Sequence, residues 1–113
     1  YAPLQLHTEE NIITNILLGS GQALQLFRIC QEAITNTCKH AQATLLNIKA
    51  TADEKQFSIT ISDNGKGFDL NTNDPSGHYG LQNMQERARE SNFELKIESS
   101  KGKGANVIVS VLI

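Results

Sequence analysis

The sequence predicts an α+β fold: a two-layer α/β sandwich with a mixed, largely antiparallel sheet and helices on one face. Three observations point there. Two stretches read as β-hairpins, with apolar residues at alternate positions on both sides of a turn-forming tetrapeptide. Two other stretches carry apolar residues at helical spacing. The chain has 113 residues, 39% hydrophobic and 19% charged, which suits one soluble globular domain over residues 1–113 with a single core.

The first 19 residues are the least informative. Leu4 and Leu6 alternate and fit an edge strand. Thr8-Glu9-Glu10 fits the cap of a short helix carrying Ile12, Ile13, Ile16 and Leu17, and the same residues fit a strand. Gly19-Ser20-Gly21 breaks whatever precedes it, and Ser20 is placed to cap a long helix reaching about Ala41. The first hairpin follows. Leu46, Ile48 and Ala50 alternate within Thr44–Thr51, Ala52-Asp53-Glu54-Lys55 turns, and Phe57, Ile59 and Ile61 alternate again. One further step in that phase puts Asp63 on the apolar face. A carboxylate there needs a hydrogen-bond partner, because burying it alone is costly. Asp-Asn-Gly also starts ordinary turns.

Asp63-Asn64-Gly65-Lys66-Gly67-Phe68-Asp69 places a glycine pair directly after a strand, where backbone can approach a flat ligand. Leu70–His78 has no hydrophobic period and reads as a mobile loop of lid type. Gly77-His78-Tyr79-Gly80-Leu81 opens a second helix to about Asn92, with Leu81, Met84 and Ala88 on one face. A helix N-terminus led by glycines offers N–H groups to phosphate. The second hairpin has Phe93, Leu95 and Ile97, a turn at Lys101–Gly104, then Val107, Val109, Val111 and Ile113.

The long helix holds the residues richest in chemistry. With Glu32 at zero and about 100° per residue, Asn36 falls at ~40°, Lys39 at ~−20° and His40 at ~80°. Phe27, Cys30, Ile34 and Ala41 fall at ~160–220° and are expected to face the core. A carboxylate, an amide oxygen and an ammonium on one stripe suit hydrated Mg²⁺ with phosphates. The same stripe also fits a plain solvated face.

The formal net charge of −2 gives no reason to expect nucleic acid or an anionic membrane as partner. No apolar run is long enough to span a bilayer, and no signal peptide is evident. Cys30 and Cys38, roughly 12 Å apart along the helix, are too distant for a disulfide and read as buried thiols of a reducing compartment. The chain opens at Tyr1 and reads as a piece of something longer.

Three motifs, in order and in the right context, carry a resemblance over residues 22–113. Phe27-Arg-Ile-Cys-Gln-Glu32-Ala-Ile-Thr-Asn36-Thr-Cys-Lys39-His40-Ala41 resembles the N box of sensor histidine kinases. Asp63-Asn-Gly65-Lys-Gly67-Phe-Asp resembles their G1 box. Gly77-His-Tyr-Gly80-Leu81-Gln-Asn-Met-Gln-Glu-Arg-Ala88 resembles their G2 box. The Arg-Ile-x-Gln-Glu-Ala and Asn-x-x-Lys-His-Ala pieces are similar to the subfamily of nitrate and membrane-fluidity sensors. The wider fold, of Bergerat type, is shared with type II topoisomerases, Hsp90 chaperones and mismatch-repair ATPases.

The resemblance implies an ATP-binding catalytic domain with ATP and Mg²⁺ as cofactors. It would transfer phosphate to a histidine on the acceptor helix of its own full-length kinase. Asn36 would bind Mg²⁺ through its amide oxygen, and Glu32 would take the catalytic role of positioning the nucleophile or Mg²⁺-bound water. Lys39 would contact phosphate, and His40 would line the nucleotide. Asp63 would accept from the adenine amino group, with Gly65 and Gly67 bordering the base. Gly77, Gly80 and Leu81 would present N–H groups to the phosphates. The implied partner downstream is a response regulator with helix-turn-helix output. The implied location is a cytoplasmic domain of a membrane-anchored protein, with no membrane or nucleic-acid contact of its own.

Two departures stand out. Ala105 follows Gly104 where the family usually has a threonine that helps hold the base. His7, His40 and His78 are the chain's histidines, and none has an acceptor-box context, so the phosphoacceptor and sensor parts are expected elsewhere. A serine-kinase anti-sigma factor of the same fold and a non-catalytic nucleotide-binding module are the rival readings.

Overall fold

A computed structural model describes residues 3–12, 17–67 and 80–112. In chain order they form β1 (Gln5–Ile12), α1 (Ser20–Lys39), β2 (Leu45–Ala52), β3 (Gln56–Asp63), α2 (Leu81–Glu90), β4 (Glu94–Ser99) and β5 (Ala105–Leu112). The five strands make one sheet in the order β1-β2-β3-β5-β4. Only the β1–β2 pair is parallel, because a helix joins those two strands, whereas turns join the two hairpins. The sheet is therefore mixed and largely antiparallel, as expected.

Period-2 alternation separates the two faces. Leu46 and Ala52 of β2, Phe57 and Ile61 of β3, and Val107, Val109 and Val111 of β5 point to one side and are buried. Lys49, Lys96, Glu98 and Asn106 point to the other and are exposed. Helix α1 packs against α2 and over β3, while α2 lies on β4. Ile29, Met84 and Val109 are fully enclosed between the layers. The segment left open between helix and strand is strand as far as Ile12, and all of β1 is exposed, including His7.

The expected core side of α1 is wrong by about a quarter turn. Its buried residues are Ile29, Ala33 and Thr37, at ~60°, ~100° and ~140° on the scale used above. Phe27, assigned to the core, is 62% exposed. Small Ala33 and Thr37 let the helix approach the sheet, which a face built on Phe27 would not. The turned phase swings Asn36 and His40 toward the sheet. It also leaves Cys38 exposed, against the expectation of two buried thiols. Cys30 is half-buried, and burial pushes its thiol up to about 11.

The helix ends differ by a few residues from expectation. Gly19 rather than Ser20 is the N-cap of α1, and its N–H donates to Gln22 Oε1 at 3.3 Å. Gln22 Nε2 donates in turn to the Ser91 carbonyl at 3.0 Å, tying the start of α1 to the end of α2. Helix α2 begins only at Leu81, because Gly80 takes a left-handed φ of 80°. The segment Leu70–His78, expected to form a lid and including Gly77, lies outside the described residues.

Candidate functional site

The first hairpin delivers Asp63 to the end of β3, on the same face as Phe57 and Ile61. Its cross-strand neighbours are Leu46 on β2 and Ala105 on β5. Asp63 thus takes the place that alternation predicts, and its carboxylate stands at the end of an apolar row. Its partners are present. The Gly65 N–H donates to Asp63 Oδ1 at 2.8 Å, and the Thr37 hydroxyl donates to Asp63 Oδ2 at 2.9 Å.

The loop beyond Asp63 is built into the surrounding backbone. Asn64 Oδ1 accepts from the N–H groups of Thr44 and Leu45, at 3.0 and 2.9 Å. Lys66 N–H donates to the Ala41 carbonyl at 2.7 Å, and Gly102 N–H to the Lys66 carbonyl. A side chain at Gly65 would meet the Ala41 carbonyl oxygen at 2.3 Å. Gly67 has φ +63°, and a Cβ there would lie 2.1 Å from the Ser100 carbonyl oxygen. The glycine pair thus wedges the loop between the end of α1 and the turn before β5.

Above this loop lies a cleft partly open to solvent. Its apolar walls include Ala33, Ile61, Leu81, Ala105 and Val107, and its polar groups come from Asn36, Thr37, His40, Asp63 and Lys66. Among the described residues no side-chain N or O atom is buried without a hydrogen-bond partner. Of the cleft's polar groups, Thr37 and Asp63 are held by their mutual hydrogen bond.

The candidate residues of the sequence sort by position. Asn36, His40, Asp63, Gly67 and Leu81 line the cleft. Glu32 stands one turn before Asn36, and its carboxylate rests against Gly80, where a Cβ would come within 1.9 Å of Glu32 Oε1. Lys39 is exposed at the end of α1, and Gly65 is buried under Ala41 rather than lining the cleft. Sequence reasoning missed Thr37, Ala33, Ile61 and Lys66. Their signals were weak. Thr37 sits at the edge of the stripe, four residues after Ala33, and only the packing of α1 over β3 gives that spacing meaning.

The cleft thus lies in an α+β layout, between α1, the ends of β3 and β5 and the start of α2. The chain belongs to the family of histidine kinase-, DNA gyrase B- and HSP90-like ATPases, whose model matches residues 21–113. It is 39% identical over 90 residues to the signal transduction histidine-protein kinase/phosphatase DegS of Brevibacillus brevis, covering 80% of this chain and 23% of that protein. It is 42% identical over 99 residues to the sensor histidine kinase YdfH of Bacillus subtilis, covering 86% and 24%. The nitrate/nitrite sensor protein NarX of Escherichia coli is 31% identical over 96 residues, covering 85% and 16%. The chain thus spans about a quarter or less of these relatives.

Two solved structures share the fold. A blue-light activated histidine kinase of Erythrobacter litoralis superposes with a TM-score of 0.71 at 17% identity, covering 94% of this chain and 35% of that one. The mycobacterial sensor histidine kinase MprB gives 0.68 at 13%, covering 95% and 81%. The domain is the ATP-binding catalytic domain of the kind that sensor histidine kinases carry.

Proposed function

We propose that this domain binds Mg²⁺·ATP and transfers the γ-phosphate to a histidine on a separate dimerisation domain of a two-component sensor histidine kinase. The observation that carries the reading is Asp63, a carboxylate at the end of an apolar row with both oxygens held, facing a cleft also lined by Asn36 and His40. The adenine amino group donates to Asp63, while Ile61, Leu81 and Val107 contact the ring faces. His40 borders the nucleotide, and Lys39 reaches the phosphates from the end of α1. Gly77, Gly80 and Leu81 offer N–H groups to the same phosphates.

The donor set suits magnesium in one particular way. Among the described residues no three His, Cys, Asp or Glu side chains cluster around a common point. The Asn36 amide oxygen would hold the ion together with water and the phosphates, the hard, partly hydrated oxygen set that Mg²⁺ prefers. When bound, magnesium neutralises charge on the phosphate oxygens. Glu32, one turn before Asn36, positions the attacking nucleophile. Such a group acts mainly in the transition state and adds little to binding.

The same reading names partners. The acceptor helix belongs to the domain's own full-length kinase, and a response regulator with helix-turn-helix output receives the phosphate. The parent protein is membrane-anchored, with this domain on the cytoplasmic side. No described helix is long and apolar enough to cross a membrane, and a net charge of −2 does not favour nucleic acid.

The test has two parts. Calorimetry with Mg²⁺·ATP should show Asn36→Ala weakening binding by about 10–100-fold or more, the range for residues of a metal's shell. Equal affinity in mutant and parent would sink the Asn36 assignment. Labelled ATP is then incubated with the domain alone and with a dimeric acceptor-helix fragment. Acid-labile label should appear only on the fragment, more slowly with Glu32→Gln. Label on the domain itself, or acid-stable serine phosphate on a protein partner, overturns the histidine-kinase reading in favour of the anti-sigma type.

A further inference from the structure

We propose that Thr37 is a positioning residue whose hydroxyl locks Asp63 into an acceptor-only pair, and that this lock sets the preference for an amino-bearing base edge over a carbonyl-bearing one. The inference rests on reading the cleft as a nucleotide site.

Thr37 lies on α1 where the helix faces the end of β3, and it is only 4% exposed. Its oxygen is 2.9 Å from Asp63 Oδ2 and 3.3 Å from the Ala33 carbonyl oxygen. A hydroxyl has one proton to donate. The contact to the carboxylate is shorter and charge-assisted, so the proton goes there. Thr37 then has only lone pairs left for the cleft. Asp63 Oδ1 is taken by the Gly65 N–H, so both carboxylate oxygens are held. Leu46 and Ala105, the cross-strand neighbours of Asp63, carry no side-chain donor. Among the described residues Thr37 is the one side chain recorded as donating to this carboxylate.

Selectivity follows from the inventory of protons. Asp63 and Thr37 together present acceptors to the cleft. A base edge with an exocyclic amino group donates to them. A base edge with a carbonyl there sets acceptor against acceptor, and a buried mismatch of that kind discriminates strongly. Without the Thr37 hydroxyl, one carboxylate oxygen loses its anchor. The terminal torsion of aspartate is broad, so the group can turn or admit water. A water can then donate to a carbonyl-bearing base, and the selectivity falls. Thr37→Val keeps the branched shape and removes the proton. Thr37→Ser keeps the hydroxyl.

The experiment is calorimetric titration of Mg²⁺·ATP and Mg²⁺·GTP into parent, Thr37→Val and Thr37→Ser, with melting curves for each. The parent should prefer ATP. Thr37→Val should lower the ATP/GTP affinity ratio about tenfold, equivalent to about 1.4 kcal/mol, and Thr37→Ser should stay within about twofold of the parent. Should Thr37→Val fail to fold, Thr37→Ala against Thr37→Ser is read the same way. A valine variant that keeps the parental ratio, or loses ATP and GTP affinity in equal measure, overturns the positioning role. A serine variant that behaves like valine overturns it too. A parent that binds neither nucleotide overturns the nucleotide reading itself, and the role of Thr37 with it.

Discussion

Two aspartates at opposite ends of the central hairpin do the same local chemistry with different consequences. At the far turn, Asp53 Oδ1 accepts the N–H groups of Lys55 and Gln56, each at 2.8 Å. Those two bonds, chiefly the one from Lys55, hold its carboxyl below the ordinary aspartate value. Both side-chain partners lie within three residues, and Asp53 is exposed. At the near end, Asp63 accepts the Gly65 N–H two residues on, in the same Asx manner. Its second oxygen is held by Thr37, 26 residues away on α1. A turn closed by neighbours is a connector. A turn closed by a helix becomes the floor of a cleft.

The largest expected effect comes from altering the near aspartate. In Asp63→Asn one oxygen can still accept from Gly65, and the new amide N–H₂ can donate to Thr37, so the fold should survive. The cleft now presents a donor where an acceptor stood. ATP affinity should fall by about 100-fold or more and the preference over GTP should vanish. Competition binding that finds adenine still preferred removes the distinction between the two aspartates.

A middle-sized effect is expected where the cleft meets α2. Gly80→Ala adds a Cβ 1.9 Å from Glu32 Oε1 at a residue with φ +80°. The left-handed backbone costs roughly 1–2 kcal/mol for a residue with a Cβ, and the Glu32 carboxylate must also move. Phosphate transfer to an acceptor helix should slow more than ATP binding weakens, and Tm should drop by roughly 5 °C. A transfer rate unchanged in the face of a lower Tm would separate Glu32 from the reaction.

The smallest effect belongs to the far turn. Asp53→Ala should leave nucleotide affinity unaltered and lower Tm by only about 2 °C. The pH dependence has a definite sign. Because the folded-state pKa is lowered, the stabilisation is fully present above the ordinary value of 3.8 and is lost as pH falls through the folded value beneath it. Acid melting curves of parent and Asp53→Ala should therefore converge below that range, and curves that stay parallel would show the turn bonds contribute nothing.

How far these features were legible depends on the range of the interaction behind them. The hairpins, their faces and the place of Asp63 follow from alternation, because strand side chains repeat every two residues whatever lies opposite. The glycines of the loop were legible as close approaches of backbone. What they approach, the Ala41 and Ser100 carbonyls, belongs to distant segments. The phase of α1 was not legible. Its sequence has two apolar arcs, one through Phe27 and Ile34, the other through Ile29 and Ala33, and periodicity weighs both alike.

By itself, then, the sequence determined the two-layer fold, the order of its elements, the carboxylate at the end of an apolar row and the three motifs that mark the family. Those are consequences of local period and local turn chemistry. Tertiary structure alone decided which arc of α1 meets the sheet, that Thr37 holds Asp63, and that Glu32 rests on Gly80. Each of those depends on how closely a helix can approach a strand end, a distance set by the small side chains between them and written in no single segment of the chain.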